Sequence, residues 1–470
     1  MACGGGDAVD ASGATSAGAD TTATSATSVG TSGETPTGTS GSTGAGATSE
    51  QMTGEGTAGA EPVAWAPTLL GREYLCKLIS REQLEDPTEN HTQTRFNLTG
   101  TDLGVPVVAD DVLYLLFGDT IGYREIWPIG EDPDSLARIP LATVRADPSS
   151  LCRELEFLVT PDVPSVAADV DPAILRDFAG VFMQPPAGEA IETYVAQPAG
   201  PFLNMPGTFE VPGGALAVDG VVYVAYAGAV ELQPRTRATR SYLARWDGRG
   251  EGVPDYQIVR TIDALVDGAL GGHFIQVAPV LGGETVYLFG TGDYRRSGVY
   301  LARVPVAGLE GGAGTEVFDA ATNAWAAGPA VEAAPLFEGD GVGELGVQWI
   351  AEAGVYALLY QRELHDGDAI VDNRVVLRVA SAPEGPWSEA LTIVDMADPQ
   401  FALQHCCGVT CVGDQILHCE KAGLYATYLL PAITTTVEAD GLTLTLPFLA
   451  STWDPYNVAL FAATVRLVDE

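Results

Sequence analysis

Positive charge is scarce in this sequence. Lys and Arg together account for 23 of the 470 residues, against 62 Asp and Glu residues, and the formal net charge is −39. Lysine occurs only at Lys77 and Lys421. A field of this sign repels phosphate backbones and anionic lipid headgroups, so we expect neither nucleic acid nor an anionic membrane surface as a partner.

Long apolar runs and several common catalytic motifs are also missing. The sequence has no run of 18 apolar residues that could form a transmembrane helix. It contains no nucleophile-elbow serine, no phosphate-cradling loop and no dinucleotide fingerprint. These absences direct attention to carboxylate chemistry, since Asp and Glu are abundant.

The first 62 residues contain no Lys, no Arg and no aromatic residue, and consist mainly of Gly, Ser, Thr and Ala. Such a segment cannot bury enough apolar surface to fold, so we predict a disordered tether over residues 1–62 and a folded region over residues 63–470. Cys3 follows a small residue and resembles the lipidated first residue of a mature bacterial lipoprotein. This resemblance implies an exported protein of the cell envelope or the medium, with most of its signal peptide absent from the sequence. Its membrane contact would be the lipid anchor alone; a chance cysteine is the alternative.

Six further cysteines indicate disulfides, because their number is even and the chain is expected to be exported. They are Cys76, Cys152, Cys406, Cys407, Cys411 and Cys419. The last four lie close together beside His405 and His418, so a zinc site is the alternative. Because the spacing lacks paired Cys-x-x-Cys motifs, we favour disulfides over a metal site and leave their pairing open.

A short phrase recurs along the folded region, in which a turn is followed by an alternating apolar strand. Its copies centre on Tyr114, Tyr223, Tyr287 and Tyr356, with a weaker fifth copy at residues 440–444. A second related strand follows each copy after 14 to 22 residues, beginning at Leu136, Leu243, Leu301, Leu377 and Val458. Five copies of a small antiparallel sheet predict an all-β fold, a five-bladed β-propeller, in preference to a β-sandwich.

Two aspartates flank the first predicted hairpin. Asp110 and Asp111 read as its two-residue turn, and in that register paired positions sum to 221. Asp102 and Asp119 therefore face each other at the open end of the hairpin, which we expect at one mouth of the propeller channel. Two neighbouring carboxylates repel, so such a pair indicates general acid and base catalysis; turn-capping aspartates are the alternative.

Other residues are candidates because they occupy equivalent edges of later blades. Glu344 precedes a strand of a later blade and is a candidate third carboxylate that orients the sugar or acts as the acid, or else a solvated loop residue. Sugar sites need planar apolar faces and amide groups. The candidates for substrate binding are His273, Gln276, Arg296, Trp453, Tyr456 and Asn457, of which Trp453 and Tyr456 fit closure packing of the propeller equally well.

Several phrases of the sequence resemble one known family, domain-of-unknown-function family 4185. They are Gly100–Gly104, Leu116–Thr120, Phe289–Thr291 with Tyr300–Arg303, Gly343–Gln348, Glu384–Ser388 and Ser451–Asn457. That family resembles the five-bladed furanosidase propellers, and part of it is recognised as glycoside hydrolase family 183, endo-D-arabinanases of mycobacterial cell walls. The resemblance implies a glycosidase, leaning towards inversion of the anomeric centre, with Asp102 and Asp119 as its catalytic carboxylates. We expect Asp102 to act as the base and Asp119 as the acid or its partner, although the two roles are interchangeable on the sequence alone.

The sequence thus predicts a glycoside hydrolase that acts on a furanoside polysaccharide resembling arabinan. The alternative is a non-catalytic propeller that binds glycans or another protein at the cell surface. We expect a monomer whose partner is a polysaccharide or oligosaccharide, with no cofactor; a structural calcium ion in the channel stays open.

Overall fold

The computed structural model describes residues 63–80, 88–96, 98–122, 134–158, 182–184, 211–228, 237–246, 255–329, 331–366, 369–421, 423–438 and 441–469. The predicted tether and Cys3 lie outside these residues. None of the helices in the described part of the chain is both long and apolar enough to span a bilayer.

Short strands make up most of the described chain. In the first half they are β1 (Trp65–Lys77), β2 (Leu98–Gly100), β3 (Leu103–Ala109), β4 (Val112–Phe117), β5 (Ile121–Gly122), β6 (Ser135–Pro140), β7 (Glu156–Phe157), β8 (Phe182–Gln184), β9 (Val211–Val218), β10 (Val221–Gly228), β11 (Arg240–Trp246) and β12 (Asp255–Ala264). In the second half they are β13 (Gln276–Gly282), β14 (Thr285–Thr291), β15 (Tyr300–Pro305), β16 (Glu316–Asp319), β17 (Ala324–Ala327), β18 (Gly341–Ile350), β19 (Val355–Asp366), β20 (Ala369–Ala380), β21 (Leu391–Asp395), β22 (Leu424–Leu429), β23 (Thr434–Glu438), β24 (Gly441–Thr452) and β25 (Asn457–Asp469). The described helices are α1 (Thr92–Phe96), α2 (Leu141–Ala146), α3 (Leu151–Glu154) and α4 (Pro399–His405), with 3₁₀ turns at Pro148–Ser150 and Val306–Gly308.

The strands form five antiparallel blades, which confirms the predicted five-bladed propeller. Blade 1 is β3-β4-β6-β7, blade 2 is β9-β10-β11-β12 with β8 added in parallel, and blade 3 is β13 to β17. Blade 4 is β18 to β21, and blade 5 is β22-β24-β25-β1, with β23 also paired to β24. A separate two-stranded ribbon joins β2 to β5.

The repeated phrases of the sequence are the second and third strands of the blades. The four Tyr-centred copies lie in β4, β10, β14 and β19, and the weaker copy starts β24. In three blades the tyrosine pairs across the ladder with the arginine of the following strand: Tyr114 with Arg138, Tyr223 with Arg245, and Tyr287 with Arg303. The repeat therefore indicates how the second and third strands of a blade pair, as well as where they occur in the sequence.

The innermost strands of the blades, β3, β9, β13, β18 and β22, close a ring around a central channel. Beyond their first few residues these strands are mostly apolar. They enclose a cavity of about 230 Å³. Representative wall residues are Val107, Ala215, Ala278, Leu345 and Leu429. Because the five strands run in the same direction, their first residues meet at one mouth of the channel.

The two ends of the described chain meet in blade 5. Strand β1 pairs with β25 along its whole length, with Trp65 opposite Asp469 and Lys77 opposite Ala459. Just beyond β1, the Asn457 amide donates to Ile79 O at 2.8 Å and its Oδ1 accepts from Ile79 N at 3.2 Å. An N-terminal strand therefore completes the last blade and closes the ring.

Three disulfides confirm the preference for disulfides over zinc. They join Cys76 to Cys152, Cys406 to Cys419 and Cys407 to Cys411. The first ties the end of β1 to α3 across 76 residues of sequence, while the other two lie within the loop that follows α4. His418 lies near Cys407 and Cys411, but the two sulfurs are bonded to each other and do not offer the thiolates that zinc prefers.

Candidate active site at the channel mouth

A bulge shifts the first hairpin by one residue at its open end. Pairs from Val105–Leu116 to Ala109–Val112 follow the predicted register, but Leu103 pairs with Phe117 because Gly104 is left unpaired. Leu103 and Gly104 both have positive φ, of 66° and 93°. Asp102 therefore lies opposite Gly118, whose N–H donates to Asp102 O at 3.1 Å, and the predicted direct opposition of Asp102 and Asp119 is wrong.

Gly118 makes room for the Asp102 carboxyl group. A Cβ atom at this position would lie 2.5 Å from Asp102 Oδ1 and 2.9 Å from a methyl group of Leu103. Any side chain here would displace the carboxyl group. The glycine of the Phe-Gly-Asp-Thr phrase is thus explained by the residue across the ladder and not by its own backbone conformation.

Asp102 is buried among tyrosines, with 7% of its surface exposed. The Tyr425 hydroxyl donates to Asp102 Oδ2 at 2.8 Å. Burial and the negative charge of Glu344 raise the pKa of Asp102 to about 7, although the hydroxyls of Tyr456 and Tyr425 and the charge of Arg295 oppose the shift. The carboxyl group is therefore poised to exchange a proton near neutral pH.

Glu344 lies at the corresponding end of β18 in blade 4, within another bulge between Val342 and Leu345. Its carboxylate accepts from the Tyr294 hydroxyl at 2.9 Å and lies 3.4 Å from Arg295 Nη2 through each oxygen. Burial alone would raise the pKa of Glu344, but Arg295 and Tyr294 outweigh it and lower the pKa. Glu344 is therefore a fixed negative charge beside a carboxyl group that holds its proton.

Arg295 is the cation of this cluster, and it is not among the residues expected from the sequence. Its guanidinium lies over the rings of Tyr294 and Tyr425, 4.7 and 5.1 Å from their centroids, and its Nη1 is 3.3 Å from Glu363 Oε1. Gln361 also donates to Glu363, at 2.6 Å. Its one local sequence signal is the turn after β14, where the neighbouring Arg296 was the expected binding residue.

Asp119 lies at the same mouth, one residue beyond Gly118, and is half-buried. Burial and the charges of Asp102, Tyr425 and Asp119 together raise the pKa of Tyr456 above its ordinary value. Tyr456 therefore lies close enough to both aspartates for their charges to affect its hydroxyl group. The structure thus brings Asp102, Asp119, Glu344 and Tyr456 into one neighbourhood.

The remaining predicted binding residues divide between this mouth and other places. Gln276 starts β13 at the mouth, is buried, and its Oε1 accepts no hydrogen bond from the described residues. Trp453 is 38% exposed and meets Tyr456 edge-on at 6.1 Å. His273 and Arg296 lie on the blade 3 side, where His273 stacks on Tyr300. Asn457 is buried and bound at both ends of its amide to Ile79, so it has a structural role and does not fit the predicted one.

Comparisons with solved structures return several propellers at low identity. A protein of Bacteroides ovatus ATCC 8483, provisionally described as a hydrolase, is 14% identical with a TM-score of 0.49, over 79% of this chain and 87% of its own. An arabinanase of Bacillus subtilis is 9% identical with a TM-score of 0.39, over 77% and 96% of the two chains. An alpha-L-arabinanase mutant of Cellvibrio cellulosa is 10% identical with a TM-score of 0.36, over 77% and 90%. Likenesses this weak carry no conclusion about the present chain.

The search of curated proteins returns no match. One family model does match, and the match covers most of the folded region, including Asp102, Asp119, Arg295, Glu344 and Tyr456. From residue 87 to residue 462 the sequence matches the model named domain of unknown function DUF4185, and the chain belongs to that family.

Proposed function

We propose that this protein hydrolyses glycosidic bonds in a furanoside polysaccharide such as arabinan. The observation that carries the proposal is the arrangement of carboxyl groups at the channel mouth. Asp102 is buried and holds a proton near neutral pH, Glu344 is buried and ionised, and Asp119 is half-buried beside them. Glycoside hydrolysis needs one carboxyl group in each protonation state.

Asp102 is the general acid in this proposal. It donates its proton to the glycosidic oxygen as the bond to the anomeric carbon breaks. A pKa of about 7 leaves roughly half of the molecules protonated at neutral pH, and the Tyr425 hydroxyl fixes the orientation of the carboxyl group. This assignment reverses the roles expected from the sequence, because the raised pKa of Asp102 favours it as the acid.

Asp119 is the general base. It takes a proton from the water molecule that attacks the anomeric carbon from the opposite face of the sugar. The resemblance to glycoside hydrolase family 183 implies inversion, for which two carboxyl groups stand roughly 6.5–9.5 Å apart. The one-residue offset between Asp102 and Asp119 across the bulged hairpin favours the wider separation over direct opposition.

Glu344 acts through its charge. Both of its oxygens lie near Arg295, and one also accepts from Tyr294, so the carboxylate is poorly placed to attack a sugar. Its negative charge favours the protonated form of Asp102, and Arg295 limits that effect. The predicted third carboxylate thus adds to the effect of burial, which is the main cause of the raised pKa of the acid.

Digestion of arabinan by the full-length protein tests this proposal. Asp102→Asn and Asp119→Asn should each lower the release of oligosaccharides by roughly 10²–10⁴-fold, the usual contribution of a general acid or base. Asp111→Asn, at the exposed turn of the same hairpin, is the matched control and should retain activity. Thermal unfolding of all four proteins checks that each is folded.

Absence of products from the folded wild type, on arabinan and on a wider panel of furanosides, would contradict the hydrolase and favour a propeller that only binds glycans. Loss of activity in Asp111→Asn as well would show that the hairpin tolerates no change, and would remove the assignment of Asp102 and Asp119.

The cellular setting is part of the proposal. Three disulfides persist only in an oxidising compartment, which fits an exported protein. We propose that residues 1–62 act as a flexible tether from a lipid on Cys3 and hold the propeller near envelope polysaccharide. Metabolic labelling with a fatty acid, compared between the wild type and Cys3→Ala, tests this anchor.

A further inference from the structure

A second cavity, of about 540 Å³, lies between blades 3 and 4. Its lining comes from the turn between β14 and β15, the segment before β18, and the end of β19. Glu363 belongs to this lining and also pairs with Arg295 at 3.3 Å. The cavity therefore adjoins the candidate active site through a shared buried carboxylate.

Two aromatic rings in the lining are packed against neighbouring side chains. Tyr300 stacks on His273 with a centroid distance of 3.8 Å and an interplanar angle of 12°. Phe337 is stacked with Tyr360 at 5.8 Å, and the Arg378 guanidinium lies 4.2 Å from its centroid. Rigid aromatic faces of this kind bind the C–H faces of sugars at little conformational cost.

The charges of the lining are largely matched within the protein. Asp340 lies 3.0 Å from Arg378 and 3.6 Å from Arg362, and Glu363 pairs with Arg295. Arg296 and Glu338 add one charge of each sign. A lining that holds one arginine, Arg296, and three carboxylates, in a chain whose net charge is −39, favours a neutral ligand over an anionic one.

His365 supplies polar capacity that the described residues do not use. Its Nε2 lies 3.2 Å from Glu363 Oε2, and its buried Nδ1 has no hydrogen-bond partner among the described residues. The wall of the cavity therefore includes a ring nitrogen whose hydrogen-bonding capacity the described residues leave unused.

We propose that the cavity between blades 3 and 4 is a second sugar-binding subsite, which takes a neutral sugar unit of the same polysaccharide that is cut at Asp102. This inference rests on the proposed function. Its volume lies within the range of about 300–1,000 Å³ that is usual for small-molecule sites. A chain bound at both places is cut internally, and the subsite thus determines how far the cut lies from a chain end.

The test compares the full-length wild type with Arg296→Ala/Glu338→Ala. The control is Glu438→Ala/Arg466→Ala, which removes the same two charges from an exposed pair on blade 5. We measure kcat/KM on arabinan and on 4-nitrophenyl arabinofuranoside, whose single sugar cannot occupy both places. Calorimetry with short and long arabino-oligosaccharides follows, in the Asp119→Asn background.

We expect the Arg296→Ala/Glu338→Ala protein to lose about tenfold in kcat/KM on arabinan, as for two lost polar contacts, with the aryl furanoside unchanged. Its affinity should fall for the long oligosaccharides alone. An equal loss on both substrates, no loss on arabinan, or an equal loss in the control would overturn the subsite.

The two proposals fail separately. If the wild type cuts neither substrate, the hydrolase proposal fails, and calorimetry alone decides the subsite. Weaker binding of long oligosaccharides by the double variant would then still support it, whereas no binding, or equal binding by both proteins, would overturn it.

Discussion

The innermost strands are polar at or just before the channel mouth and apolar along the channel wall. At the mouth they carry Asp102, Gln276, Glu344 and Tyr425, whereas the wall beyond is apolar, as at Leu345. The ladders differ in the same way, because four of the five innermost strands are bulged near the mouth and pair regularly along the wall. A bulge redirects one side chain without disturbing the alternation that follows it. The bulged ends of the strands thus position the polar side chains, and the regularly paired segments hold those ends in place.

Arg295→Met should show the largest contrast between mouth and wall. It leaves Glu344 and Glu363 buried without their cation, which costs about 3–5 kcal/mol for a broken buried pair. Arg295 lowers the pKa of Glu344, so the stability that it supplies is present at neutral pH and is lost as the pH falls below the ordinary range of a carboxyl group and Glu344 protonates. Urea unfolding at pH 3 and pH 7 measures this difference.

Leu345→Ala is the matched change in the wall, one residue from Glu344. A buried leucine truncated to alanine costs about 2–5 kcal/mol. This cost should be the same at pH 3 and pH 7, because no titrating group is removed. A pH-independent loss in Arg295→Met as well would mean that the mouth is held by packing alone.

Asp102→Asn should stabilise the fold while it abolishes activity. The pKa of Asp102 is raised in the folded protein, so wild-type stability from this group is full below pH 4 and declines as the pH rises towards 7. The asparagine protein escapes this decline, and should be more stable by roughly 2–4 kcal/mol at pH 8 and nearly equal at pH 4. Thermal unfolding across this range checks the sign; a constant difference would contradict the raised pKa.

Gly118→Ala should have the smallest effect on stability. The new methyl group meets Asp102 Oδ1 and Leu103, and overpacking of this kind costs about 1–3 kcal/mol. We also expect roughly tenfold lower kcat, because the displaced acid is no longer aligned. Gly71→Ala, which meets no atom within 4 Å, is the control and should match the wild type in both measurements.

Much of the fold was predictable because it repeats. The Tyr-centred strands recur with the same partner strand, so five copies define five blades. Asp102 lies just before β3 as expected, whereas Glu344, expected before a strand, is the fourth residue of β18 and still lies near its start. The bulge at Leu103 was not predictable, because a hairpin of alternating residues with a two-residue turn fits a regular register equally well.

The cation of the site was missed for another reason. Arg295 meets Glu344 and Glu363 across 49 and 68 residues of sequence, on a different blade, and no local spacing reports such a contact. Asn457 was misassigned because an amide beside two aromatic residues looks the same whether it faces a sugar or, as here, the Ile79 peptide.

The pairing of β1 with β25 has a consequence for the synthesis of the protein. Ile79 and Asn457, which clamp this junction, are 378 residues apart, so the edge of β1 has no partner until the ribosome has made nearly the whole chain. At about 5–20 residues per second, synthesis leaves that strand exposed for tens of seconds. The ring therefore closes only at the end of synthesis, and until then β1 is an unpaired strand edge.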